Sequence, residues 1–72
     1  MVVRLQVKNI KDERYLSGIL DILNRHYGIR TSFEKPRFSR TYYVLVEGKG
    51  EDSCVDDFRA FASTVGWTTE RI

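Results

Sequence analysis

Val3, Leu5 and Val7 alternate with Arg4, Gln6 and Lys8, the two-residue period of a strand with one face buried and the other wet. The period then changes. Leu16, Ile19, Leu20, Leu23 and Tyr27 recur at the spacing that lines them along one stripe of a helix. Asp12 stands just before that stripe, where a carboxylate can cap the first free backbone N–H groups. Gly28 follows the stripe and tolerates the left-handed backbone that ends a helix, with Ile29 as the apolar residue beyond it.

Ile29, Thr31 and Phe33 alternate with Arg30, Ser32 and Glu34, which predicts a second strand. Pro36 has no N–H to give a sheet, so Lys35 to Ser39 reads as a loop. Tyr42, Val44 and Val46 against Tyr43, Leu45 and Glu47 predict a third strand, broken by Gly48-Lys49-Gly50. The next helix is expected to be capped by Asp52 or Ser53 and to bury Val55, Phe58, Ala62 and Val65, with Phe61 at the margin. Gly66 ends it, and Trp67 to Ile72 leaves room for a short fourth strand.

The order β-α-β-β-α-β predicts a ferredoxin-like α+β domain over residues 1–72, with a four-stranded antiparallel sheet in the order 4-1-3-2. Both helices cover one face and the other stays open. The halves echo each other as strand, helix, terminating Gly, strand, which hints at a duplicated unit.

Composition narrows the function classes. At 72 residues the chain is one domain, and 42% hydrophobic with 31% charged residues fits a globular chain. No apolar run approaches a membrane span, and residues 1–11 carry no signal-peptide core. Together with a lone thiol, Cys54, this leads to an expected cytoplasmic location. One Cys and one His cannot build a structural zinc site, so neither metal nor cofactor is expected. The net charge of +2 is too small to steer binding, but its distribution is uneven. Residues 30–40 hold Arg30, Lys35, Arg37 and Arg40 against Glu34, while residues 51–57 hold Glu51, Asp52, Asp56 and Asp57 with no base.

Catalytic constellations are missing. Gly48-Lys49-Gly50 lacks the spacing and the Lys-Ser/Thr of a phosphate loop. Asp56 and Asp57 are adjacent on a helix and diverge by about 100°. His26 is expected at the edge of the first helix's apolar stripe, near its C-terminal end, and nothing in the spacing brings it beside Cys54. Cys54 itself reads as a small buried hydrophobe. The chain is expected not to be an enzyme.

Two surfaces remain. The alternation sends Arg4, Gln6, Lys8, Thr41, Tyr43, Leu45 and Glu47 to the open face, with Arg30 and Ser32 from one edge and Thr69 with Arg71 expected from the other. On that reading the face is basic. Arg4, Lys8 and Arg30 could neutralise phosphates while Tyr43 stacks a base, which would suit RNA or single-stranded DNA. The second surface is Phe33 to Arg40, a basic hairpin loop bearing an aromatic, of the kind that anchors protein interfaces.

The layout resembles the RNA-recognition motif. Leu5-Gln6-Val7-Lys8-Asn9-Ile10 is similar to its first-strand signature and Arg40-Thr41-Tyr42-Tyr43-Val44-Leu45 to its third-strand signature. Gln6 stands where that family places a stacking aromatic. Tyr42, the aromatic that would match in the third strand, points inward by the alternation unless a bulge reverses it. The layout also resembles ACT domains, which implies amino-acid binding between paired subunits, but Asn9-Ile10-Lys11-Asp12 lacks their glycine-rich turn.

The favoured expectation is a small non-enzymatic binding or regulatory module, an accessory regulator or inhibitor of the kind phages encode. A chain starting at Met1 with no room for a second domain is expected to act by occupying a surface. Its protein partner is expected to contact Arg30, Arg37, Phe38 and Arg40, and a domain this small has reason to form a homodimer through the sheet face or an edge strand.

Overall fold

The computed structural model describes residues 2–72. Its elements are β1 (Val2–Lys8), α1 (Glu13–Tyr27), β2 (Arg30–Glu34), β3 (Tyr42–Glu47), α2 (Glu51–Thr64) and β4 (Thr68–Arg71). The strands form one antiparallel sheet in the order β2-β3-β1-β4, the predicted order read from the opposite edge. This is the ferredoxin-like α+β layout. The core sits between the sheet and the two helices.

Local chemistry explains most boundaries. Asp12 caps α1, its Oδ1 accepting from the Arg14 backbone N–H at 3.0 Å. Gly28 closes α1 at φ 64°, donating its N–H to Asn24 O at 2.9 Å. The end of α2 is tighter. Gly66 at φ 87° lets its own N–H reach Ser63 O at 3.3 Å and the Trp67 N–H reach Ala62 O at 2.8 Å. Trp67 then packs edge-on against Phe61, with ring centroids 5.7 Å apart. This pair of bonds with an apolar clasp is the Schellman stop.

Val3, Leu5, Val7, Val44, Val46 and Tyr42 are buried from the sheet side, as the alternation predicts. Leu16, Leu20 and Leu23 bury from α1 and Cys54, Val55, Phe58 and Ala62 from α2. Trp67 joins the core. The unbroken register Val2↔Glu47 through Val7↔Tyr42 leaves no bulge in β3, so Tyr42 faces in and Tyr43 faces out.

Four expectations are corrected. Neither Asp52 nor Ser53 caps α2, which already begins at Glu51, two or three residues before those caps would place it, with Gly50 at φ 82° in the cap position and no side-chain bond. Val65 is 47% exposed instead of buried, because α2 has ended at Thr64 and Val65 lies in the cap itself. His26, expected at the edge of the α1 stripe, is exposed, and its neighbour one turn earlier, Ile22, is 60% exposed, so the stripe ends short of that side. Thr69 and Arg71 lie on the helix side of the sheet. They stand opposite Val7 and Leu5 in the β1–β4 ladder and so share the inward face with them. Arg59 Nε donates to Thr69 Oγ1 at 3.2 Å, and Arg71 reaches Asp52 of α2 at 3.7 Å.

Candidate docking surfaces

The correction at β4 changes the electrostatics of the open face. Thr68 stands opposite Lys8 and Glu70 opposite Gln6, so those two residues face outward. Arg4, Lys8 and Arg30 are then met by Glu34, Glu47 and Glu70, three cations against three carboxylates. Glu34 lies directly across from Tyr43, and Glu47 directly across from Arg30. The face is charge-balanced, not basic. Its centre is Tyr43 and Leu45, both half-buried, with the exposed apolar side chain of Val2 at the same end as Leu45.

The β2–β3 loop has a defined shape. Pro36 O accepts the Ser39 N–H at 3.0 Å, and Ser39 Oγ accepts the Thr41 N–H at 3.0 Å. Inside this turn Phe38 adopts φ 69°, a left-handed conformation that a bulky residue rarely takes. The ring is 95% exposed and does not fold back on the sheet edge. The Arg37 guanidinium lies 5.3 Å from its centroid. Arg40 is exposed beyond it. Arg30 is not part of this group. It begins β2, and the strand's length of about 13 Å at roughly 3.3 Å per residue separates it from the loop.

At the same end of the sheet, the β1–α1 turn and the β2–β3 loop enclose a groove of about 900 Å³. Lys11 comes from the first of these segments, and Lys35 and Arg40 from the second. Tyr15, Tyr42 and Trp67 supply the aromatic walls. Asp12, the one carboxylate in the lining, is engaged by Arg14 at 3.1 Å, which holds its carboxyl below the ordinary range through a side-chain hydrogen bond. Lys35 Nζ lies 5.8 Å from the Tyr42 centroid, and burial pushes the Tyr42 hydroxyl pKa up. Sequence reasoning did not single out Lys11, Lys35 and Trp67 as neighbours. The available signal was Asn9, which bends the chain at φ 71° just after β1 and is a residue type that tolerates that region.

Cys54 is fully buried, and burial, followed by the charge of Asp57, pushes its thiol pKa up. It is a packing residue in an unreactive setting. Among the described residues no group of three or more His, Cys, Asp and Glu side chains is placed to hold a metal ion. Nor is any helix among them long and apolar enough to cross a membrane.

No protein-family model matches the chain, and no curated protein does. Among solved structures, the chain is similar to a prephenate dehydratase from Staphylococcus aureus subsp. aureus Mu50, with a TM-score of 0.67 at 14% identity. The likeness covers 99% of this chain and 28% of that one. The chain therefore spans little more than a quarter of that enzyme's length. At this identity the likeness carries the fold.

Proposed function

We propose that the chain is a non-catalytic regulatory module that docks on a protein partner through the β2–β3 loop. Phe38 is the central contact, with Arg37 and Arg40 beside it. The observation that carries this reading is the Phe38 ring, held 95% exposed in a turn fixed by two hydrogen bonds. Presenting an apolar ring to water is unfavourable for the free domain, and a pocket on a partner would remove that exposure. The pre-shaped turn lowers the ordering cost of binding. The same fold also occurs as one portion of a larger enzyme chain, which is compatible with a module that acts in company with another protein.

The nucleic-acid reading, through Arg4, Lys8, Arg30 and Tyr43, is less favoured because three carboxylates share that face. A small-ligand reading of the ACT kind draws on the groove, where Lys11, Lys35 and Arg40 would attract an anion. The test is affinity capture from an extract of the source organism, run in parallel with wild type, Phe38→Ala and the Arg37→Glu/Arg40→Glu pair. A partner held by wild type and lost by both variants, with unchanged circular dichroism, is the expected result. Equal capture by all three overturns the reading.

A further inference from the structure

The free edge of β2 is its own complement. Its five residues read Arg30, Thr31, Ser32, Phe33, Glu34, and Arg30, Ser32 and Glu34 share the open side of the sheet. In an antiparallel pairing of two copies about a two-fold axis through Ser32, Arg30 stands opposite the partner's Glu34 and Glu34 opposite the partner's Arg30. The two small Ser32 side chains meet at the centre. On the helix side Thr31 stands opposite the partner's Phe33, an aromatic with a β-branched neighbour. We propose that the chain self-associates through this edge, joining two four-stranded sheets into one of eight strands.

Three observations favour this occupant over another protein. Arg30 and Glu34 are both exposed, and neither forms an ion pair among the described residues. Lys and Pro, the residues that most often blunt an edge, come only after Glu34, at Lys35 and Pro36. The flank of α1 that overhangs the edge is short and polar, with Ser17, Asp21 and Asn24 lining a shallow groove beside Thr31 and Phe33. That flank leaves the strand open to a second sheet. The opposite edge, β4, has its inward side chains committed to α2 through Arg59 and Asp52. A ladder of five residues buries less than a standard interface, so association is expected to be weak and concentration-dependent. The proposal is independent of the docking loop, because each loop lies beyond the end of the paired segment.

The test is sedimentation equilibrium from about 10 µM to about 1 mM, the range that brackets a weak interface. Wild type is expected to form a dimer. Glu34→Arg alone and Arg30→Glu alone each place like charges opposite one another across the axis, and each is expected to weaken dimerisation by about tenfold or more. An equimolar mixture of the two variants restores both opposite-charge pairs and is expected to dimerise again. Ser32→Cys gives a second readout, expected to form an intermolecular disulfide on mild oxidation. Glu34→Cys is expected not to, because its two copies lie beyond disulfide reach. Cys54 is buried and does not compete. A monomer throughout the range, single reversals that dimerise as wild type does, or a mixture that stays monomeric would each overturn the proposal.

Discussion

In the first half of the chain, α1 starts on the Asp12 side-chain cap, buries three leucines and stops on the Gly28 N–H bond. In the second half, α2 starts on Gly50 with no side-chain cap and buries Cys54, Val55, Phe58 and Ala62, one large ring among small residues. The strands that follow also differ. β4 is pinned to its helix by Arg59 and Arg71, whereas β2 is joined to α1 by Thr31, whose hydroxyl donates to Leu20 O at 3.0 Å. Two halves of one plan thus reach stability by different means. The first relies on its helix caps and an even stripe, the second on a single ring and on side-chain ties at the sheet edge. What the first half leaves over is a strand whose charged residues, Arg30 and Glu34, form no ion pair among the described residues.

Phe58→Ala should expose this difference most. It removes the one large fully buried side chain of α2, which also lies 6.4 Å from the Trp67 ring, and is expected to destabilise the fold by about 4 kcal/mol. Urea unfolding at pH 7 measures it, and a loss below about 1 kcal/mol would mean that the ring does not organise the second half. Cys54→Ser comes next. A hydroxyl at this fully buried site, whose thiol is uncharged and packed among apolar neighbours, is expected to cost about 1–3 kcal/mol. Cys54→Ala should cost less than Cys54→Ser. A thiol reagent should modify the native protein far more slowly than the unfolded one.

The caps make a smaller and sharper contrast. Asp12→Ala is expected to lose about 1 kcal/mol, because its carboxylate serves the α1 N-terminus. Ser53→Ala should stay within about 0.5 kcal/mol, because that hydroxyl makes no cap bond. Equal losses at the two positions would erase the distinction between the helix starts.

The smallest effect is visible only at high pH. Tyr27 of α1 donates its hydroxyl to Asp57 of α2, and that hydrogen bond pushes its pKa from 10.0 up to about 12. The folded state therefore holds the phenolic proton more tightly than the unfolded chain does. The stabilising contribution is complete below pH 10 and is lost as pH rises towards about 12. In Tyr27→Phe, melting temperature should fall less steeply across that window than in wild type. An identical slope would remove Tyr27 from the link between the helices.

Much of this was legible in the sequence, and the reasons are specific. Period-two and helical spacing located the first five elements, because burial on one face leaves an alternation in Val3–Val7, Tyr42–Val46 and Leu16–Tyr27, whereas β4 was placed only by the length of chain left after Gly66. Gly28 and Gly66 marked both helix ends. The side assigned to Thr69 and Arg71 was not legible. Four residues carry no apolar alternation, and it is their pairing with Val7 and Leu5 that sets their facing. That inversion, which exchanges Arg71 for Glu70, together with Glu34 on the same side of β2, turned an apparently basic sheet face into a balanced one. The loop residues Arg37, Phe38 and Arg40 stood out by composition, but nothing local announced that Phe38 would stay in water. Lys11 and Lys35 are far apart along the chain, so their convergence on one groove depends on the sheet order and not on any motif.

The β1–β4 ladder has a consequence for how the molecule is made. Leu5, near the start of the chain, pairs with Arg71 near its end, and β1 is central, with β3 on its other side. Most sheet contacts therefore wait on distant segments, a topology that folds more slowly than one built from local pairs. During synthesis β1, α1, β2 and β3 emerge first, and β1 keeps one edge unpaired until the final strand has cleared the ribosome. Refolding followed by stopped flow should accordingly be slowed by Val44→Ala if the β1–β3 pairing is already formed in the transition state, with the unfolding rate rising instead if that pairing forms later.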